Sequence, residues 1–177
     1  MKQLLFLPID LDTSYLTNIK IKQQEHLPTW NPFWNVSEIE LTDEINQFCL
    51  QLPMIKISKI YYKTQEKVVE PHVDTNKKLC DPILYENLHS NEPAGYHVIL
   101  KGSKNVLYVY DGNSYIKTTI PESTNCYVMG ITTTLHKVDH DPNRITIFIR
   151  GLIDRHKHKN LIDMNLKKYG DYAVYES

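Results

Sequence analysis

The chain carries His72-Val73-Asp74, a later His136 and, eight residues on, Arg144, with Thr146 two positions further. In an extended strand, residues i and i+2 point to the same face, so His72 and Asp74 can reach one ion from one side. A second imidazole from His136 completes a set of two nitrogens and one carboxylate. That set occupies one face of an octahedral metal and leaves three positions open. A ligand that chelates two of them and carries a second carboxylate needs a cation at its far end. The planar guanidinium of Arg144 suits a carboxylate, and Thr146, on the same face of the same strand, adds a hydroxyl donor.

Each of these residues has an ordinary reading when taken alone. His72 and Asp74 are a polar strand end, His136 a satisfied core histidine and Arg144 a solvated strand-end charge; only the combination points to a metal. His140 is the rival of His136. His136 is preferred because it lies in the β-type run 132–138, whereas His140 falls in the turn Asp139-His140-Asp141-Pro142-Asn143. Arg150 is the fallback for Arg144, on the same strand face at an even offset but farther from His136. His97 faces outward if Tyr96, Val98 and Leu100 face inward, and that phase, which makes His97 structural, is preferred. Trp30, Phe33 and Trp34 read as core or lid packing. The basic run 155–159 reads as a solvated stretch.

These side chains need β-strands to hold them. After Pro53 the sequence turns to β-branched and aromatic residues. Eight strands are expected, near 55–63, 67–73, 96–101, 105–110, 114–120, 125–130, 133–138 and 145–150. Turn signals separate them at 101–104, 111–113, 121–124 and 139–143, with a tight hairpin at 110–114. His72-x-Asp74 then ends the second strand, His136 lies on the seventh and Arg144 opens the eighth. The five-residue turn 139–143 fits a hairpin that would set Arg144 on the strand beside His136. Ahead of this block, residues 2–9 read as a short strand and 10–41 as a loop with one helical turn near 13–19. A helix capped by Thr42 follows, with Asp43 and Glu44 in its first turn and Ile45, Phe48, Cys49 and Leu52 as its apolar stripe. The polar stretch 75–94 has the length of a binding loop or lid. The tail 151–177 carries a weak helical stretch near 160–168. Eight short strands after an N-terminal helix predict a mainly β fold, a sandwich or jelly roll.

The chain has 177 residues, the size of one domain. One domain over 1–177 is expected, with its β core at about 55–150, N-terminal support at 1–54 and a C-terminal tail at 151–177. Three cysteines, Cys49, Cys80 and Cys126, form no CxxC pair, which disfavours zinc ribbons and disulfide scaffolds and fits a reducing cytoplasm. Cys49 belongs to the helix stripe, and Cys80 and Cys126 are assigned no chemistry. The apolar N-terminal stretch is broken by Pro8, Asp10 and Asp12, so neither a signal peptide nor a membrane span is expected. A formal net charge of -1 gives no broad footprint for nucleic acid. The sequence sets no oligomeric state.

His72-x-Asp74, then His136, then Arg144-x-Thr146 resembles the signature of the 2-oxoglutarate/Fe(II)-dependent dioxygenase superfamily, over residues of about 55–150. The compact size is nearest its small prolyl- or aspartyl/asparaginyl-hydroxylase-like members. Thr146 stands where serine is common. The resemblance implies a double-stranded β-helix, the jelly roll shared with cupins. It implies Fe(II) on His72, Asp74 and His136 and 2-oxoglutarate held by Arg144 and Thr146, with ascorbate as an available reductant. Tyr62, Tyr96 or Tyr108 are alternatives for the second contact to the oxo acid. The expected activity is hydroxylation of a peptidyl residue or an amino-acid-like small molecule, with Tyr61, Tyr62, Tyr85, Trp30 and Trp34 available to bind it. Two other functions compete: a cupin-like metalloenzyme that needs no oxo acid, and a non-catalytic jelly-roll module.

Overall fold

The computed structural model describes residues 2–22, 33–74, 94–130 and 134–177. The fold is mainly β, with two antiparallel sheets and few helices. Eleven strands occur among the described residues: β1 (Leu4–Ile9), β2 (Trp34–Glu38), β3 (Met54–Gln65), β4 (Val69–His72), β5 (Gly95–Lys101), β6 (Leu107–Tyr110), β7 (Tyr115–Lys117), β8 (Cys126–Met129), β9 (His136–Val138), β10 (Ile145–Ile153) and β11 (Val174–Tyr175). Two α-helices occur among the described residues, α1 (Asp43–Cys49) and α2 (Arg155–Tyr169).

All eight strands expected after Pro53 form, as β3 to β10. The larger sheet runs β11-β1-β8-β5-β10-β3-β2 and the smaller β4-β9-β6-β7. Along the chain β3, β5, β8 and β10 join the larger sheet, and β4, β6, β7 and β9 the smaller. The turn 110–114 is a hairpin between β6 and β7. Asp111 Oδ1 accepts from the backbone of Asn113 and Ser114 there, and Gly112 takes φ +107.

Period-two alternation divides the larger sheet into two apolar faces. One face, with Leu7, Ile9, Tyr96, Val98, Val128, Ile147 and Ile149, packs under the helices against Ile45, Phe48, Ile162 and Tyr169. The other turns toward the smaller sheet. Phe6, Ile99, Tyr127 and Met129 there meet Val69, Leu107, Val109 and Val138. Each such large side chain contributes roughly 1.5–3 kcal/mol when fully buried. The same alternation sends His97 toward the smaller sheet, because Tyr96 and Val98 belong to the helix-covered face. This is the reverse of the preferred phase. Both faces of β5 are buried, so hydrophobicity alone could not set it.

Three further expectations change. The 139–143 turn does not close a hairpin: β9 pairs with β4 and β6, whereas β10 pairs with β3 and β5. The turn crosses between sheets, so Arg144 lies across from His136 rather than beside it in a ladder. It is fixed by Gln65, whose Nε2 donates to the Asp139 carbonyl, and by Arg144 N donating to the Asp141 carbonyl. Residues 34–38, expected as loop, form edge strand β2 against β3. The helix expected near 160–168 starts earlier, at Arg155, and takes in the basic run 155–159, of which Arg155, His156, Lys157 and Lys159 are exposed as expected and His158 is buried. Asp154 caps that helix by accepting from Lys157 N, and Lys167 and Lys168 in its last turn suit the helix dipole. His158, Ile162, Asn165 and Tyr169 form its buried stripe. Half of that stripe is polar and takes specific partners: Asn165 Oδ1 accepts from Asp10 N, and His158 Nδ1 lies 2.6 Å from the Tyr96 hydroxyl, while His158 Nε2 has no hydrogen-bond partner among the described residues.

The expected first helix forms as α1, with Thr42 Oγ1 accepting from Ile45 N. The helical turn near 13–19 is a 3-10 turn at Thr13–Leu16. Among the described residues no helix is long and apolar enough to cross a membrane. Trp30, Cys80, Tyr85 and most of the expected loop 75–94 lie outside the described residues.

Candidate metal centre

Strands β4 and β9 are antiparallel neighbours, and their register sets His72 directly opposite His136. The two imidazole centroids are 4.4 Å apart. Each ring is oriented by a backbone carbonyl two residues before it. His72 Nδ1 lies 2.8 Å from the Glu70 carbonyl and His136 Nδ1 3.1 Å from the Thr134 carbonyl. Nδ1 therefore donates in both rings, and each Nε2 presents its lone pair. This is how metal-binding histidines are commonly held.

Both lone pairs face Asp74. Its Oδ1 is 3.8 Å from His72 Nε2 and 3.7 Å from His136 Nε2. These separations are too long for hydrogen bonds. The three donor atoms lie within 4.8 Å of one another and converge without satisfying one another. Asp74 is nearly sealed, with its side chain 5% exposed, and its Oδ2 has no hydrogen-bond partner among the described residues. Leaving a carboxylate oxygen buried and unpaired is costly. A divalent ion on Asp74 Oδ1 and the two Nε2 atoms would offset the charge of this buried carboxylate, so the donor set fits a metal.

Arg144 and Thr146 face Asp74 and His136 from the larger sheet. All four line one small cavity with Trp34, Lys63, His97, Leu107, Tyr127 and Val138. Arg144 is 1% exposed, unusual for an arginine. Its Nη1 donates to the Ser103 carbonyl, its Nε has no hydrogen-bond partner among the described residues, and Tyr127 lines the cavity with it. Gly102 makes this approach possible: at φ +89 a Cβ would lie 2.7 Å from Arg144 Cα.

All five residues expected from sequence therefore line the same small space or its rim, with His72 at the more open edge, its side chain 21% exposed. The rivals lie elsewhere. His140 is exposed, and Arg150 sits over the Tyr61 ring at 5.5 Å. Tyr62 and Tyr96 pack on the helix-covered face, and the Tyr108 hydroxyl donates to Asp139 Oδ2. None of the three tyrosines lines the cavity; Tyr127 does.

Tyr127 and Lys63 line the cavity without having been singled out from sequence, and His97 enters it in the phase that was not preferred. Tyr127 stacks on His97 with centroids 4.6 Å apart, and Phe148 stacks on the other side of His97 at 4.6 Å. His97 Nε2 points at Asp74 Oδ2, 3.7 Å away. Lys63 Nζ lies 3.9 Å from Asp74 Oδ1, over the faces of Phe148 and Trp34. The signal for Lys63 was the two-residue period through Tyr61, Lys63 and Gln65, all buried on one face of β3.

Burial pushes His97 down to about 3 and His136 to about 4, against the opposing pull of Asp74. Both are neutral at pH 7, as metal ligation requires. Burial alone would raise the Asp74 carboxyl. Lys63 and the surrounding imidazoles outweigh it and hold Asp74 well below the usual carboxylate range. Burial draws the Lys63 ammonium below the ordinary lysine range while Asp74 pulls it back up, and Lys63 is the lysine that faces Asp74.

A larger groove of about 450 Å³ lies beside α1, lined by Leu41, Leu50, Ile55 and Cys49 among others. Its Glu38 and Lys59 pair with each other, and burial pushes the Cys49 thiol up to about 11, away from reactivity. The chemistry gathers in the smaller cavity. A scan against protein-family models finds no match to the chain, and no curated protein matches it significantly.

Two outcomes follow for the metal-free protein. Asp74→Ala should destabilise it by about 3 kcal/mol, because it strands a buried ammonium, and adding Lys63→Met should restore most of that loss. Denaturant titration of the two variants checks the pair. His97, His136 and His158, all depressed to between about 3 and about 4, take up protons in the unfolded chain below its ordinary histidine pKa while the folded chain refuses them. Stability should therefore fall as pH drops from about 6.5 toward 4, each histidine contributing on the order of 1 kcal/mol per pH unit. Melting temperatures across that range read it out.

Proposed function

We propose that this protein is an Fe(II)- and 2-oxoglutarate-dependent oxygenase built on a double-stranded β-helix. The observation that carries the reading is the convergence of His72, Asp74 and His136 at one end of a cavity whose facing wall holds Arg144 and Thr146. Two imidazoles and a carboxylate with open positions are the donor set of non-haem iron oxygenases. The alternation of β3 to β10 between two sheets supports the jelly-roll reading.

His72, Asp74 and His136 would hold the iron through two Nε2 atoms and Oδ1. When bound, the iron supplies a centre where dioxygen is reduced at the expense of decarboxylating the oxo acid, with hydroxylation of a nearby C–H bond. Arg144 would bind the far carboxylate of the oxo acid through its guanidinium, one nitrogen of which is anchored on the Ser103 carbonyl. Thr146, two residues along the same face, offers a hydroxyl to the same group. The carbonyls of Glu70 and Thr134 keep the imidazole rings in their tautomer. Trp34, Leu107, Val138 and the His97 stack shield the cavity from water, which limits wasteful turnover. The half-open His72 edge, flanked by Phe33 with ring centroids 6.1 Å apart, is where a peptidyl residue or amino-acid-like substrate would approach. Unpaired Cys49 and Cys126 among the described residues fit a cytoplasmic setting.

Adding Fe(II) and then 2-oxoglutarate to the protein under nitrogen should give a weak visible charge-transfer band that needs both. Arg144→Met should keep the iron and weaken 2-oxoglutarate by about 10- to 100-fold, the loss of a charge-assisted pair. Iron binding with no band in the native protein would favour a cupin-like metalloenzyme, and neither iron nor band a non-catalytic module.

A further inference from the structure

The functional reading gives Lys63 no task, yet Lys63 is 7% exposed and sits at the centre of the cavity. Its Nζ lies 3.9 Å from Asp74 Oδ1, the oxygen that His72 Nε2 and His136 Nε2 approach at 3.8 and 3.7 Å. The ammonium therefore stands around the same point as the two imidazoles. Its stem is held by ring faces, with Phe148 4.5 Å and Trp34 5.6 Å from Nζ. On the neighbouring strand Lys63 is paired directly with Thr146.

Formal charge shows why this position matters. The charged groups lining the cavity are Lys63, Arg144 and Asp74, a net charge of +1. A divalent ion on Asp74 takes over the charge that now balances Lys63 and leaves a buried ammonium facing a cation. An isolated buried charge is costly, so the loaded site calls for an anion against Lys63. The two cations are held by different partners. Lys63 is beside the metal-binding oxygen, whereas Arg144, just before β10, donates to the Ser103 carbonyl and forms no ion pair with Asp74 among the described residues.

We propose that Lys63 is a second oxo-acid-binding residue, which contacts the carboxylate next to the keto group while Arg144 holds the distal one. The assignment rests on the oxygenase reading. It makes the site specific for a dicarboxylic oxo acid gripped by one cation at each end, each from a different strand of the larger sheet.

The test compares two oxo acids on the Fe(II)-loaded protein under nitrogen, with affinity read from the charge-transfer band and by calorimetry. 2-Oxoglutarate has both carboxylates; 2-oxobutanoate has only the one beside the keto group. Lys63→Met should weaken both acids by a similar factor, at least about tenfold. Arg144→Met should weaken only 2-oxoglutarate. Lys63→Arg, which keeps the charge and controls for lost packing, should recover part of the affinity for both. Unchanged affinity for both acids in Lys63→Met, with the wild type binding them, overturns the assignment and leaves the oxygenase reading standing. A loss confined to 2-oxoglutarate puts Lys63 at the distal end and also overturns it. A wild type that binds Fe(II) but neither acid overturns the oxygenase reading along with the assignment.

Discussion

Asp74 is a carboxylate taken out of water and surrounded by three imidazoles and one ammonium, and the geometry of the site follows from keeping it ionised there. Burial opposes its charge. Burial keeps His97 and His136 neutral, and the carbonyls behind His72 and His136 hold Nδ1 so that each Nε2 faces the carboxylate. Lys63 sets an amine against the same oxygen, its ammonium opposed by burial and favoured by Asp74. Such a pair is weak as a source of stability, because desolvation consumes most of the attraction. It does concentrate negative charge where nitrogen donors converge, and a divalent cation would exploit that concentration better than an ammonium does.

The two sheets divide the work. The smaller sheet carries the imidazoles, with the β4–β9 register putting His72 against His136. The larger sheet carries Lys63, His97, Tyr127, Arg144 and Thr146 on the face turned toward them. No single strand pair could build this arrangement. The turn 139–143 crosses from one sheet to the other, so residues eight apart in sequence can face each other across the cavity. The opposite face of the larger sheet is sealed by α1 and α2, which fixes the phase of β5, β8 and β10 and thereby the direction of their polar side chains.

Much of this was legible in the sequence. His72-x-Asp74 followed by a β-type run with His136 and then Arg144-x-Thr146 located the whole expected set, and the turn residues placed all eight strands that follow Pro53. What was not legible depended on partners distant in the chain. Both faces of β5 are apolar enough to be buried, so His97 could be aimed only once β8 and β10 were in place. Lys63 looks like an ordinary strand lysine until Thr146 and Asp74 surround it. The β9–β10 connection has the length of a hairpin, and only its ladder partners reveal a crossing. Helix α2 hides its buried face because His158 and Asn165 replace apolar residues there, with partners in Tyr96 and Asp10 that the sequence does not show.

The most direct measurement is a crystal structure of the Fe(II)-loaded protein grown without oxygen, with anomalous differences collected at the iron edge. The account predicts one strong peak coordinated by His72 Nε2, Asp74 Oδ1 and His136 Nε2, with Lys63 displaced from Asp74. A peak on other residues, or full iron loading that leaves the Lys63–Asp74 pair intact, would contradict it.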